Sequence, residues 1–236
     1  MLPANWPPSG PGNHIQRRRL GKRGTVEPLG KVTGPAIASA ADDAHWYATA
    51  NVGANFMSDQ TVSLSGDGPT QSGDASLGSG LLTGAAVGRA FSRSFRAEAE
   101  FVYQSVDHDG VRLAGGSSLP SGNFASTALA LNGLYSFNLF GREEVRTYVG
   151  LGVAWLTEVD IDFEQGGQEL SYSGDGFGVQ LLAGARYEIG ERWFLDAGLR
   201  YLSAGEVTMD GEGATTGRVR ADYEPWSATL GIGWKF

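Results

Sequence analysis

Apolar and polar residues alternate along the last stretch of the chain, from Trp226 to Phe236. One set of alternate positions is apolar and both begins and ends on an aromatic residue, whereas the positions between them hold Ser, Thr, Gly and Lys. A period of two predicts a β-strand with one apolar face. Aromatic residues at both ends of that face are typical of a strand that crosses a hydrocarbon layer.

Seven earlier stretches show the same alternation. They cover residues 45–56, 77–91, 95–106, 123–137, 145–156, 177–189 and 193–202. Each has at least the roughly 9–11 residues that a tilted membrane-spanning strand needs. No uninterrupted apolar window is long enough for a membrane-spanning helix, which needs about 18 residues or more. The pattern therefore predicts eight strands.

The links between these strands alternate in length. Long links cover residues 57–76, 107–122, 157–175 and 203–224, and short links cover residues 92–94, 138–144 and 190–192. An even number of strands, with short turns at one rim and long loops at the other, is typical of transmembrane barrels. We therefore predict an all-β fold: a closed eight-stranded antiparallel transmembrane β-barrel in which the first strand pairs with the last. The short turns and both termini would be periplasmic, and the four long loops would be extracellular.

The glycines indicate which face of each strand points inwards. A soluble lipocalin-like barrel would place the charged face outside, but here the charged residues share their face with many glycines. Glycine weakens a strand and adds nothing to a solvated face, whereas a narrow barrel interior needs small neighbours beside long side chains. The predicted interior charges are Arg96, Glu98, Glu100, Arg146, Arg186, Glu188, Asp196, Arg200 and Lys235.

Five basic and four acidic residues make up this predicted interior set. Buried charges of nearly equal number are expected to pair with one another. A packed interior of ion pairs predicts a plugged barrel without an open pore.

Composition and charge narrow the choice of function. The 236 residues include no cysteine, which excludes disulfide and thiol chemistry, and 36 glycines. Residues 41–236 carry 12 basic and 25 acidic side chains. This excess of negative charge disfavours a nucleic-acid partner.

Residues 1–44 differ from the rest of the chain. They are rich in Pro and Gly and have no period of a strand or a helix. The basic run 17–23 resembles the front of an export signal, and residues 38–40 resemble a cleavage site, but the apolar segment between them is interrupted. Two interpretations remain for residues 1–44, a degenerate export presequence and a disordered extension, ahead of a barrel over residues 45–236.

Three short stretches resemble a known family. They are YVGLG at 148–152, LDAGLRYL at 195–202 and LGIGWKF at 230–236. Over residues 45–236 the chain resembles the eight-stranded outer-membrane protein β-barrels, a group that includes the OmpA transmembrane domain and opacity-type surface proteins. The resemblance implies a Gram-negative outer-membrane location, contact with outer-membrane lipid and lipopolysaccharide, and a last strand that the barrel assembly machinery reads. That assembly signal would consist of Trp226, Leu230, Ile232, Trp234 and Phe236.

Candidate catalytic and metal-binding residues are sparse. The three histidines are His14, His45 and His108, and none is followed two residues later by a serine. The chain therefore does not match barrels that deacylate lipid A with a His-x-Ser pair. The run 107–109 (Asp-His-Asp) and the alternating acids of 158–164 could bind a metal, but solvated acids are the commoner reason for such patterns. We expect no catalytic residue, no cofactor and no metal.

The favoured function is a non-enzymatic surface barrel that serves envelope structure, adhesion or host interaction through its loops. The alternatives are a small porin-like channel and a lipid-active barrel enzyme.

The long links carry sixteen acids and only three basic residues, Arg112, Arg218 and Arg220. We expect this acidic surface to contact a host or surface ligand, or divalent ions that bridge it to lipopolysaccharide. The competing explanation is that the acids keep the loops soluble. The sixteen acids are Asp59, Asp67, Asp74, Asp107, Asp109, Glu158, Asp160, Asp162, Glu164, Glu169, Asp175, Glu206, Asp210, Glu212, Asp222 and Glu224.

Overall fold

The computed structural model describes residues 44–66, 70–114, 118–119, 121–165, 168–213 and 215–236. The predicted presequence therefore lies outside the described residues, apart from Ala44. Among the described residues, no helix has the length and apolar character needed to cross a membrane. The strands of the described residues are β1 (His45–Phe56), β2 (Gln60–Ser65), β3 (Gln71–Leu77), β4 (Ser79–Ala90), β5 (Phe95–Leu113), β6 (Ser118–Leu119), β7 (Gly122–Phe137), β8 (Val145–Gln165), β9 (Gln168–Ile189), β10 (Trp193–Ser203), β11 (Glu206–Gly211), β12 (Arg218–Asp222) and β13 (Trp226–Lys235).

Eight of these strands overlap the eight predicted stretches, and each pairs antiparallel with two others of the eight. The pairings run from β1 to β4, β5, β7, β8, β9, β10 and β13. Strand β13 pairs in turn with β1, so that Val52 lies opposite both Thr83 and Leu230. The predicted pairing of the first strand with the last is confirmed. We call these eight strands the ring strands.

Local sequence sets the ends of the ring strands. The last strand begins at Trp226, directly after Pro225, which has no amide hydrogen to donate to a neighbouring strand. Two of the short links turn at Gly141 and Gly190, both with φ of 67°. Glycine adopts this left-handed conformation without the steric cost that other residues incur.

The outward faces of the ring strands are predominantly apolar. Leu131, Leu151 and Leu230 are 63%, 62% and 67% exposed. Aromatic residues cluster towards both ends of the strands, with exposed Trp46 and Trp193 near the short links and exposed Trp226 near the long ones. An apolar band between two aromatic girdles is the outer surface expected of a membrane-spanning barrel.

The prediction that the four long links are loops was wrong. Strands β2, β3, β6, β11 and β12 lie in these links, and β5, β8 and β9 continue into them, so eight is not the total number of strands among the described residues. The reason is a second set of alternating apolar residues, such as Val207 and Met209 in β11 and Val219 and Ala221 in β12, which are buried. We call the described residues of the four long links the extension.

The extension has an apolar core of its own, continuous with the adjoining ends of the ring strands. Fully buried members include Val111, Leu156, Phe163, Met209 and Val219. The register of β8 shifts by one residue against β7 between Leu156 and Glu158. Such a bulge bends the strand and changes which residues point inwards, and here it lies at the junction of ring and extension.

Candidate functional site

The inward face of β5 supplies three charged side chains at alternate positions, Arg96, Glu98 and Glu100. Alternate residues of a strand point to the same side. The Nε of Arg96 lies 3.3 Å from Oε1 of Glu98, and its Nη1 donates a hydrogen bond of 2.7 Å to Ser136 Oγ. Arg96 and Glu100 are buried.

Arg186 connects two acids from different strands. It lies 3.7 Å from Glu98 and 3.2 Å from Asp196. Its guanidinium carbon lies 3.7 Å from the ring centroid of Phe194 and 4.7 Å from that of Tyr47. Cations are attracted to aromatic faces at such distances, so Arg186 is held by both acids and both rings.

Arg200 pairs with Glu100 at 2.5 Å. Asn132 donates a hydrogen bond of 2.9 Å to the other oxygen of Glu100, and Gln180 donates one of 2.5 Å to Asn132. Both oxygens of Glu100 therefore have a partner. Arg200 therefore pairs with Glu100, whereas Glu98 and Asp196 contact Arg186.

The remaining predicted interior charges lie nearer the short links. Lys235 forms a close ion pair with Glu188. Arg146 is half-buried and donates a hydrogen bond of 3.3 Å to the backbone oxygen of Arg93. Of the nine residues in the predicted set, Arg146 is the one that forms no ion pair with the acids that the structure describes.

The sequence prediction missed the aromatic residues that separate these charges. Tyr47 donates a hydrogen bond of 2.5 Å to Glu98, and Tyr148 donates one of 2.6 Å to Asp196. A methyl group on Gly88 would collide with the ring of Tyr47, and one on Gly233 would collide with that of Phe194. These glycines therefore make room for aromatic rings, not for the long charged side chains that we expected. The sequence did contain a signal for these aromatic residues, because they occupy the same alternate positions as the glycines and the charged residues.

A small cavity of about 40 Å³ remains among these side chains. Its lining includes Arg96, Glu98, Glu100, Arg186 and Arg200. A cavity of this size holds a few water molecules at most, since one water needs about 10–15 Å³ measured in this way.

The predicted assembly-signal residues all lie on the outward face of β13 or at its end. Trp226, Leu230, Ile232, Trp234 and Phe236 are exposed. The rings of Trp234 and Phe236 stack with centroids 5.2 Å apart. The amide of Phe236 donates a hydrogen bond of 2.9 Å to the backbone oxygen of Trp46, which ties the chain end to β1.

His108 is not in a solvated loop, and that expectation was wrong. It lies in β5 and is buried, with Nε2 2.9 Å from the backbone oxygen of Asp162 and its ring 5.2 Å from that of Phe163. The physical reason is the continuation of β5 into the extension, which turns His108 towards the apolar core. No group of three or more His, Asp or Glu suited to a metal occurs among the described residues.

The acids of the long links whose side chains the structure describes lie on the outer surface of the extension. None of these described long-link acids is buried. Glu158, Asp160 and Asp162 alternate along β8 with the buried Val159, Ile161 and Phe163, so the acids face outwards. Asp67 lies outside the described residues.

A buried polar group marks the boundary between the charged interior and the apolar core. The Nε2 of Gln104 donates a hydrogen bond of 2.7 Å to the hydroxyl of Tyr223, which lies 2.6 Å from Ser126 Oγ. Burial raises the pKa of Tyr223 to about 12. The phenol is therefore neutral at physiological pH and can act as a hydrogen-bond donor.

Comparisons with known proteins agree with this architecture. A family model described as the outer membrane protein beta-barrel domain matches residues 31–236. Outer membrane protein W of Salmonella typhi is 26% identical over 149 residues, which are 58% of this chain and 70% of that protein. The crystal structure of the outer membrane protein OprG from Pseudomonas aeruginosa superposes with a TM-score of 0.61 at 20% identity, over 81% of this chain and 96% of OprG.

The matched region of the family model covers all eight ring strands together with the extension. The apolar outward wall and its aromatic girdles are the features that a bacterial outer-membrane location requires of such a sheet. The chain therefore belongs to the outer membrane protein beta-barrel domain family and is a protein of the Gram-negative outer membrane.

Proposed function

We propose that the protein is a non-enzymatic, ion-impermeable surface barrel that presents an acidic extracellular surface. The eight ring strands close into a transmembrane barrel, with the short links in the periplasm and the extension outside the cell. The cyclic order of strand pairing and the apolar outward wall support this placement. Short periplasmic turns and long extracellular connections are the usual arrangement in such barrels.

The observation that carries the proposal is the packed, mutually paired interior. Arg96, Arg186 and Arg200 are each at most 7% exposed and each contacts an acid. A conducting pore needs a continuous water-filled path, whereas the cavity between these side chains is about 40 Å³. This packing supports a barrel that is closed to ions at this level.

Conductance in planar bilayers tests whether the paired charges of the interior close the barrel to ions. The wild-type protein should insert without stable conductance steps. The double variant Arg186→Ala/Glu98→Ala removes the central bridge, and with it the ion-pair partners of Asp196 and Arg96, and should conduct. The matched control Arg218→Ala/Asp210→Ala removes an exposed pair of the extension and should remain closed. Stable conductance in the wild type would refute the plugged barrel.

The acidic surface supports a role in binding cationic partners, or divalent ions that bridge it to lipopolysaccharide. Attraction to such a surface falls off within a Debye length of about 8 Å at physiological salt. Neutralising the six acids of residues 157–175 as amides should weaken binding of a polylysine probe and flatten its salt dependence. Neutralising Glu143, Glu144 and Glu191, which lie in the short links, is the control. Equal binding and salt response in both variants would leave the acids with a solubility role.

The exposed aromatic end of β13 supports its role as the assembly signal. Phe236→Ser should leave unfolded protein in the periplasm. Phe137→Ser, which changes another outward-facing aromatic residue at the same end of the ring, should fold. The readout is the fraction of heat-modifiable protein in outer membranes, and equal fractions would exclude a special role for Phe236.

A further inference from the structure

The outward wall of the barrel contains one charged residue. The wall comprises the outward-facing positions of residues 45–56, 79–91, 95–105, 125–137, 145–155, 177–189, 193–201 and 226–236, all of which the structure describes. At these positions the residues are apolar, small or uncharged, with the single exception of Arg89 in β4. A charge on the lipid face is unfavourable in proportion to its depth, and this makes the position of Arg89 informative.

Arg89 lies at the level of the aromatic girdle near the short links. It is one residue from the end of β4 and directly opposite Trp46 of β1. Its guanidinium carbon lies 5.4 Å from the ring centroid of Trp46 and 5.6 Å from that of Phe91. The Phe91 ring lies 5.9 Å from that of Phe95. Exposed aromatic rings thus flank the cation at the depth where lipid headgroups begin.

Among the described residues, this guanidinium has no hydrogen-bond acceptor. Within the part of the chain that the structure describes, the contacts of Arg89 are the two rings, and no carboxylate pairs with it. A guanidinium carries five N–H donors, and its fork matches the oxygens of a phosphate. Its long side chain can also reach from the wall to the headgroup layer.

We propose that Arg89, Trp46 and Phe91 form a binding site for the phosphate of an anionic phospholipid in the periplasmic leaflet. The guanidinium binds the phosphate oxygens, and the two rings pack against the upper acyl chains and glycerol. The site rests on the proposed orientation, in which the short links face the periplasm. It adds a specific lipid contact to that placement.

Lipid titration of the folded full-length protein in non-ionic detergent, followed by native mass spectrometry, tests the site. The probe is dioleoyl-phosphatidylglycerol, and diacylglycerol is the phosphate-free comparison. Arg89→Gln should weaken phosphatidylglycerol binding on the order of fivefold, the contribution of one basic residue near an anionic lipid surface. Arg192→Gln, an exposed arginine in a short link, should bind like the wild type. Diacylglycerol binding should be weak and equal in all three proteins.

A residue-specific measurement accompanies the titration. The Nε–Hε resonance of Arg89 should shift when a short-chain phosphatidylglycerol is added, and Arg89→Lys should retain part of the affinity. Equal binding by the wild type and Arg89→Gln would overturn the proposal. Competition by free inorganic phosphate at similar concentrations would also overturn it, because the site would then be a simple anion site. Tighter binding of lipid A than of phosphatidylglycerol would overturn the assignment of the site to the periplasmic leaflet.

The same experiment separates failure of the site from failure of the proposed function. If Arg89→Gln still gives a heat-modifiable folded band but binds phosphatidylglycerol normally, the barrel stands and the lipid site falls. If the wild type binds no phospholipid and shows no folded band, the placement of the wall in the bilayer has failed. Arg89→Lys guards against a variant that is merely misfolded.

Discussion

The ring and the extension are parts of one sheet with opposite faces. In the ring, the outward residues are predominantly apolar and the inward residues include Arg96, Arg186 and Arg200. In the extension, the outward residues include the acids, and the inward residues form the apolar core. The difference follows from the medium outside: lipid around the ring takes apolar side chains, and water around the extension takes charged ones.

Strand β8 makes this inversion within a single strand. Val149, Leu151, Val153 and Trp155 point outwards, whereas Val159, Ile161 and Phe163 point inwards although they have the same parity in sequence. The register shift between Leu156 and Glu158 accounts for the change. Without the bulge, one of the two segments would present its apolar residues to the wrong medium, because a slip of one residue exchanges the faces of a strand.

The two interiors should respond differently to truncation, and the charged one should respond most strongly. Arg200→Ala leaves Glu100 buried without its cation and should lower the free energy of unfolding by about 3–5 kcal/mol. Arg218→Ala removes an exposed pair of the extension and should cost at most about 1 kcal/mol. Urea unfolding in liposomes measures both values. Equal unfolding midpoints would show that Arg200 does not lie in a buried interior.

The apolar core of the extension should be sensitive to loss of volume. Ile161 is 1% exposed, so Ile161→Ala should lower the free energy of unfolding by about 2–4 kcal/mol. Asp160→Ala, one residue away on the outer face, should change it by about 0.5 kcal/mol or less. Hydrogen exchange should show the loss of protection in the extension and not in the ring strands. Similar effects of the two variants would mean that the extension has no packed core.

Much of the ring could be predicted from sequence because one rule, alternation, governs it without interruption. The strand β1 has the predicted bounds, and eight of the nine predicted interior charges are ion-paired. The extension could not be predicted in the same way. Its acids alternate as regularly as its apolar residues, so Glu158 to Phe163 is equally consistent with a solvated loop and with a strand. The bulge that decides between them is set by pairing with β7, which local sequence does not encode.

Replacing glycine by alanine should have opposite, smaller effects on stability at the inward and outward faces of the ring. Gly88 points inwards against the ring of Tyr47, and Gly88→Ala should cost about 1–3 kcal/mol through overpacking. Gly133 points outwards, and the nearest atom to an added methyl group is 3.9 Å away. Gly133→Ala should leave the unfolding midpoint unchanged or raise it, since glycine weakens a strand. If Gly133→Ala were destabilising and Gly88→Ala were not, the assignment of the inward and outward faces would be wrong.

The boundary between the two interiors should respond to pH through Tyr223, which lies in the link before β13 and outside the spanning strands. Tyr223→Phe removes its hydrogen bonds to Gln104 and Ser126 and should cost about 1 kcal/mol at neutral pH. Burial raises the pKa of this phenol from 10.0 to about 12, so the folded state favours the neutral form. That stabilisation is complete below pH 10.0, the pKa of the unfolded state, and is lost as the pH rises through about 12.

The advantage of the wild type over Tyr223→Phe in the free energy of unfolding should therefore shrink above pH 10.0 and disappear before about pH 12. Urea unfolding of both proteins across this range measures it, with Tyr135→Phe, an exposed tyrosine of the wall, as the control. An advantage that stays constant with pH would show that Tyr223 is not buried at the boundary.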